Sequence, residues 1–194
     1  MIDIPVLQNH RIILASQSPR RQHLLKELGL SFTTRIKEVD ESYPENLKEA
    51  QIPVFLAEHK ANAFMSELSN NELLITADTI VWVDGHVLGK PKDYDDAFRM
   101  LQILSGNKHT VYTGVCLTTI EKQHSFFANT DVYFRKLEDS EIAYYLNTHQ
   151  PYDKAGAYGI QEWIGFVSIE RIDGSYFNVM GLPIQKLYDE LKRF

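Results

Sequence analysis

With a single cysteine, Cys116, the chain can form no intramolecular disulfide. Its setting, Val115-Cys116-Leu117, reads as a small core residue and not as a nucleophile. No apolar run approaches the ~18 residues of a membrane span, and the opening MIDIPVLQNHR has no basic segment followed by a long apolar one. The protein is therefore expected to be cytoplasmic. Basic residues are also short: 20 Lys and Arg face 26 Asp and Glu, and a net charge of -6 argues against a general nucleic-acid binder, although a local basic cleft remains compatible with it. GxxxxGK[ST], GxGxxG and HExxH are all missing, so an ordinary P-loop, a dinucleotide fingerprint and a zincin helix are excluded. There is no internal repeat, no low-complexity tract and no linker rich in Gly, Ser or Pro to mark a domain boundary.

What is present is the composition of an ordinary soluble globular protein, 44% hydrophobic and 24% charged. Its 194 residues fit one large domain or two small ones, and a chain of this size buries roughly 70% of its unfolded surface without needing a staple.

The most informative stretch is Ile12 to Leu30. Ile12 to Ala15 read as a short buried strand, and Leu24, Leu25 and Leu28 recur at helical spacing, with Ser18 placed to cap, Pro19 suited to the first helical position and Gly29 to the stop. Arg20 and Arg21 then fall in the first turn, where exposed N-H groups already make a positive field and each cation costs a few tenths to ~1 kcal/mol. An anion would offset this. Strand, hydroxyl-rich turn, helix N-terminus and two guanidinium forks make a phosphate-site pattern, with Ser16, Ser18, Arg20 and Arg21 as candidate ligands. Read alone, the stretch also fits an ordinary Ser-Pro helix start with solvated arginines.

Farther on, Phe32 to Val39 is predicted to be a strand running into the acidic pair Asp40-Glu41, which alone would pass for a solvated turn. Pro53 is predicted to open a second helix with Ala57, Ala61, Phe64 or Met65, and Leu68 as its buried stripe. Lys60 lies at the edge of that stripe, either snorkelling to water or aimed into a cleft. The apolar runs Leu73 to Ala77 and Ile80 to Val83 enclose Asp78-Thr79, and Asp84-Gly85 turns a hairpin back through Val87-Leu88 to Gly89-Lys90-Pro91. A carboxylate so enclosed needs a cation, several N-H donors or a metal, unless Asp78 simply binds backbone at a bulge.

A third helix is expected over Asp93 to Leu104, an antiparallel strand pair over Thr110 to Ile120 and Ser125 to Phe134, and a fourth helix over Asp139 to Leu146. His109 is assigned a structural or solvated role. The glycines of Tyr152 to Gln161 would permit close backbone approach to a ligand, as they would in any turn. Phe166 to Ile172 reads as a last strand, Gly174 to Gly181 as a loop, and Pro183 to Phe194 as a closing helix with Ile184, Leu187, Tyr188 and Leu191 inward. Together these predict an α/β fold, a mixed sheet flanked by helices.

Several segments in order, ASQSPRR at 15 to 21, Glu41, Lys60-Ala61, ADTIV at 77 to 81, GKP at 89 to 91, SGNKHTVYTGV at 105 to 115, YDKAGAYGIQ at 152 to 161 and GSYFNVMGLP at 174 to 183, make the sequence resemble the Maf family of nucleoside triphosphate pyrophosphatases. These proteins were first named for septum formation, and their fold is related to that of the inosine triphosphate pyrophosphatases (Maf/Ham). The resemblance implies one domain over 1 to 194 with an active-site cleft between two lobes, a divalent cation (Mg²⁺ or Mn²⁺) held by Glu41 and Asp78, and a homodimer. It implies that Asp78 is the proton acceptor, that Glu41, Lys60 and Lys90 are charged groups of the same cleft, and that Arg20, Thr79 and Gln161 set substrate preference. GAYGIQ resembles the dTTP/UTP branch, so the implied reaction is hydrolysis of dTTP and UTP to the monophosphate and pyrophosphate, with no nucleic acid or membrane partner. One departure is Glu162-Trp163 after Gln161, where the family pattern carries a glycine. Pyrophosphatases of modified nucleotides, or a nucleotide-binding regulator of cell division, are the alternatives. A pure binder has use for Arg20, Arg21 and Lys90 but little for Asp78.

Overall fold

The computed structural model describes residues 4–194 and contains a seven-stranded mixed sheet flanked by helices. Strand β1 (Arg11–Leu14) runs parallel to both of its neighbours, β2 (Phe32–Thr34) and β3 (Glu72–Val83). β4 (His86–Leu88) folds back antiparallel on β3 through a turn in which Asp84 and Gly85 both take positive φ, as a tight hairpin requires. β5 (Lys108–Thr118), β6 (Gln123–Phe134) and β7 (Ile169–Asp173) complete the sheet, with β7 antiparallel to β6. The helices are α1 (Pro19–Glu27), α2 (Gln51–Asn62), α3 (Tyr94–Leu104), α4 (Asp139–His149), α5 (Trp163–Ser168), α6 (Tyr176–Val179) and α7 (Ile184–Arg193).

The chain divides into two compact units. The first holds the described residues up to Asp78 together with Thr113–Ala128 and Gly181–Phe194; the second holds Thr79–Tyr112 and Asn129–Met180. In the first, α2 lies on the sheet through the small side chains Ala57 and Ala61, packed with Ile13, Phe64, Leu74 and Cys116. The Thr76 hydroxyl donates to the Ala57 carbonyl at 2.7 Å, and any side chain at Gly114 would strike the backbone of Pro53 and Val54. Helix and sheet are thus pressed together at fixed height, which sets where the last turn of α2 delivers its side chains. In the second unit, Val81, Val83, Leu101, Leu104, Val132, Tyr145 and Ile164 share one core.

Several expectations are met. Ser18 caps α1 by accepting from the Arg21 amide, Pro19 opens it and Gly29 takes φ 79° beyond its end. Asp93 caps α3, and Leu187 and Leu191 of α7 point inward, with Ile184 and Tyr188 half-buried. Cys116 is buried, and burial pushes its thiol up, as suits an inert core residue. His109 is structural: it is 1% exposed, packs edge-on against Phe134 and Tyr158, and burial lowers its pKa to about 3.

Others are corrected. β2 is three residues long and not the eight from Phe32 to Val39, because Arg35 and Lys37 leave the edge of the sheet to pair with Glu72 and Glu67. Helix α2 begins two residues ahead of Pro53 and ends at Asn62, so Phe64 is buried from beyond the helix while Met65 is exposed. The runs flanking Asp78 are one continuous strand. Phe166 to Ser168 are helical and not strand: the Gly165 and Phe166 amides both bond to the Glu162 carbonyl, winding a short helix that leaves Phe166 75% exposed. Tyr176 to Val179 form a helix turn capped by Ser175 within what reads as a loop.

One buried charge anchors the parallel edge. Glu72, fully buried, receives Arg11 and Arg35, each at 2.8 Å, and the Ser69 amide at 3.1 Å. Burial alone would raise its pKa, but the hydrogen bonds from Arg35, Ser69 and Arg11 outweigh it and bring the value from 4.5 to about 2. A carboxyl depressed in the folded state stabilises the fold above its unfolded value and loses that stabilisation as pH falls through the folded one. Glu72→Gln is accordingly expected to cost about 2–3 kcal/mol at neutral pH. In thermal unfolding the wild type should lose stability between pH 4.5 and about 2 more steeply than the variant. Identical acid profiles would contradict this.

Candidate active site

The parallel ladder of β1, β2 and β3 ends on one side of the first unit, and the chemistry-bearing residues follow the carboxyl end of that ladder, which is where open α/β sheets bind ligands. β1 stops at Leu14 and runs into the Ser16–Arg21 turn. The parallel ladder with β3 stops at Ile75, three residues before Asp78. β2 stops at Thr34, and the irregular segment after it carries Glu41.

The turn is built from its own hydroxyls. Ser16 Oγ accepts from the Ser18 amide at 3.2 Å, Ser18 Oγ accepts from the Arg21 amide at 3.5 Å, and Gln22 Nε2 donates to the Ser16 carbonyl at 3.2 Å. The two arginines part company. Arg21 donates from Nε to the Gly181 carbonyl and from Nη1 to the Ala77 carbonyl, both at 2.8 Å, tying helix α1 to β3 and to the segment before α7. Burial lowers its pKa, opposed by the charges of Asp78 and Glu41 and reinforced by that of Arg20. Those four charges therefore share one electrostatic neighbourhood.

Lys60 closes the set. From the last turn of α2, where a cation also suits the helix dipole, its Nζ reaches Asp78 Oδ1 at 2.5 Å and Glu41 Oε1 at 2.8 Å. Its side chain is only 16% exposed, so it does not snorkel to bulk water. Asp78 is correspondingly a carboxylate paired with a cation and not a backbone-bound bulge residue. Three cations, Arg20, Arg21 and Lys60, face two carboxylates, leaving a positive surplus suited to a polyanion.

The remaining candidates, Thr79, Lys90 and Gln161, belong to the second unit. Thr79 is half-buried in β3, and Lys90 is exposed just after β4. The Gly156 amide bonds to the Gly89 carbonyl at 3.0 Å, joining the Lys90 segment to the glycine-rich one; Gly156 has φ 68°, and a Cβ there would meet Val81. Gln161 Oε1 is buried and has no hydrogen-bond partner among the described residues.

Residues 11–194 match the family model for Maf-like proteins. The chain belongs to the Maf family. A Bacteroides fragilis protein named dTTP/UTP pyrophosphatase is 57% identical over 188 residues, 96% of this chain and 97% of its own. A Parabacteroides distasonis protein of the same name is 51% identical over 189 residues, 97% and 98% of the two chains. Among solved structures, the Staphylococcus aureus Ham1 protein aligns over 64% of this chain and 71% of its own, with a TM-score of 0.49 and 14% identity.

A hard cation takes one or two carboxylates together with substrate phosphates and waters, and Glu41 and Asp78, which both already reach the Lys60 ammonium, are the carboxylates of this set that could serve one. Among the described residues no group of three or more His, Cys, Asp or Glu side chains could hold a metal, so a cation at Glu41 and Asp78 would complete its shell from the ligand. Sequence reasoning missed the structural role of Arg21, because both its acceptors are backbone carbonyls remote in the chain. It also missed the partners of Glu162 described below; the unexpected acid beside Gln161 was the one signal.

A lysine cannot bridge two carbonyls as a planar fork does. Arg21→Lys is expected to lower stability by about 1–3 kcal/mol in denaturant unfolding. An unchanged midpoint would release Arg21 from this role.

Proposed function

We propose that the protein hydrolyses dTTP and UTP to the nucleoside monophosphate and pyrophosphate. The observation that carries this reading is the Glu41–Lys60–Asp78 arrangement beside the Arg20 turn: two carboxylates held on one ammonium, within a surplus of positive charge. The names of the relatives at 51–57% identity support the substrate. Arg20 and Lys90 neutralise the triphosphate, and Ser16 and Ser18 shape the turn that receives it. Asp78 accepts a proton from the water whose oxygen attacks the α-phosphorus; the bond from that phosphorus to the bridging oxygen breaks, and pyrophosphate leaves with the electron pair. Lys60 holds Asp78 and Glu41 in place, so the base does not need to reorganise during the reaction. Mg²⁺ or Mn²⁺, when bound at Glu41 and Asp78 with the substrate, supplies neutralisation of the developing phosphate charge.

Base choice follows from Gln161. Uracil and thymine present an N3–H donor where cytosine presents an acceptor, and an unpaired carboxamide oxygen suits the donor. Thr79 is assigned to the same substrate. The reading has the enzyme act on free nucleotides in the cytoplasm, as a homodimer, without nucleic acid or membrane; no helix among the described residues is long and apolar enough to cross a membrane.

Incubation with a nucleotide panel and Mg²⁺ should release pyrophosphate from dTTP and UTP, and a chelator should stop it. Pyrophosphate from no nucleotide would sink the proposal, and orthophosphate would move the cut to another bond. Asp78→Asn is expected to lower kcat by at least ~10²-fold with nucleotide binding retained; wild-type turnover would remove Asp78 from the chemistry.

A further inference from the structure

The segment that presents Gln161 is closed by a small polar lock in the second unit. Tyr145, buried on α4, donates its hydroxyl to Glu162 Oε2, and the same hydroxyl oxygen accepts from the Gly159 amide at 3.1 Å. Lys154, 9% exposed, reaches Glu162 Oε1 at 3.0 Å and Asp153 Oδ1 at 2.7 Å. The Glu162 amide bonds to the Gly159 carbonyl at 2.9 Å. A Cβ at Gly159 would stand 2.7 Å from Glu162 Cδ, so the carboxylate lies directly on that glycine. Burial, followed by the contact with Glu162, raises the Tyr145 pKa, which keeps the hydroxyl a donor at any working pH.

The turn from Gly159 to Glu162 is therefore pinned at both ends by one tyrosine hydroxyl, one carboxylate and one buried ammonium, and Gln161 is the residue held between them. Its carboxamide oxygen, buried and without a partner among the described residues, gains nothing for the fold from this fixing. An orphaned acceptor kept rigid is of use to a ligand donor.

Resting on the pyrophosphatase reading above, we propose that Glu162, with Tyr145 and Lys154, is a positioning residue that sets pyrimidine preference by fixing the acceptor of Gln161. If the turn loosens, the carboxamide can rotate and offer its NH₂ in place of its oxygen, and that end suits the N3 acceptor of cytosine. The acid where the family pattern carries a glycine thereby acquires a purpose, replacing backbone compactness with a charged anchor.

The decisive experiment is a double-mutant cycle read in kcat/KM for UTP and CTP, with the wild type, Gln161→Ala, Glu162→Gln and the double variant. Glu162→Gln is expected to lower the UTP-to-CTP preference about tenfold through KM, with kcat for UTP within about twofold. In the Gln161→Ala background it should change the preference no further, which a merely structural role would not produce. Tyr145→Phe keeps the ion pair, removes the hydroxyl, and should reproduce the loss even if Glu162→Gln fails to fold. Unchanged preference in Tyr145→Phe, or effects of Glu162→Gln that simply add to those of Gln161→Ala, would overturn the inference while leaving the pyrophosphatase reading intact. Pyrophosphate from no nucleotide with the wild type would overturn both.

Discussion

The ammonium of Lys60, held between Asp78 and Glu41, is the contact on which the rest of the first unit converges. Two carboxylates that close would repel and drift toward water without it. To place one lysine there, α2 must sit at a fixed height on the sheet, which Ala57, Ala61, Thr76 and Gly114 ensure. Asp78 must stand just past the parallel ladder, and Arg21 ties that strand to α1 through the Ala77 carbonyl. Much of the local architecture is thus geometry in the service of one ammonium and its two carboxylates.

On the proposed function, that arrangement is also what separates a catalyst from a container. A site that only bound triphosphate would be well served by the cations of the Ser16–Arg21 turn. Placing acids within an anion site weakens binding, and the arrangement makes sense when a water must be deprotonated beside the phosphates. The division between the arginines follows the same logic: Arg21 builds the wall, and Arg20 is left as the candidate for the ligand.

Features governed by near neighbours were legible in the sequence. Ser18, Pro19 and Gly29 announce α1, Asp84-Gly85 the hairpin, and the enclosed charge of Asp78 the need for a partner. Features decided by distant partners were not. Whether Lys60 snorkels or turns inward depends on where Glu41 and Asp78 arrive, and β2 is short because Arg35 finds Glu72 across the sheet. The apolar run from Phe166 to Ile172 has strand composition, yet the Glu162 carbonyl winds its first residues into helix. The resemblance to the Maf family supplied roles that local physics left open, and it is silent on Glu162, where this sequence departs from the pattern.

The central claim is that water held by Asp78 attacks the α-phosphorus. Hydrolysis of UTP in ¹⁸O-labelled water tests it directly, because attack at either phosphorus breaks the same bridge but labels different products. The predicted result is ¹⁸O in the phosphate of the monophosphate and none in the pyrophosphate. Label in the pyrophosphate would place the attack on the β-phosphorus and contradict the assignment of Asp78.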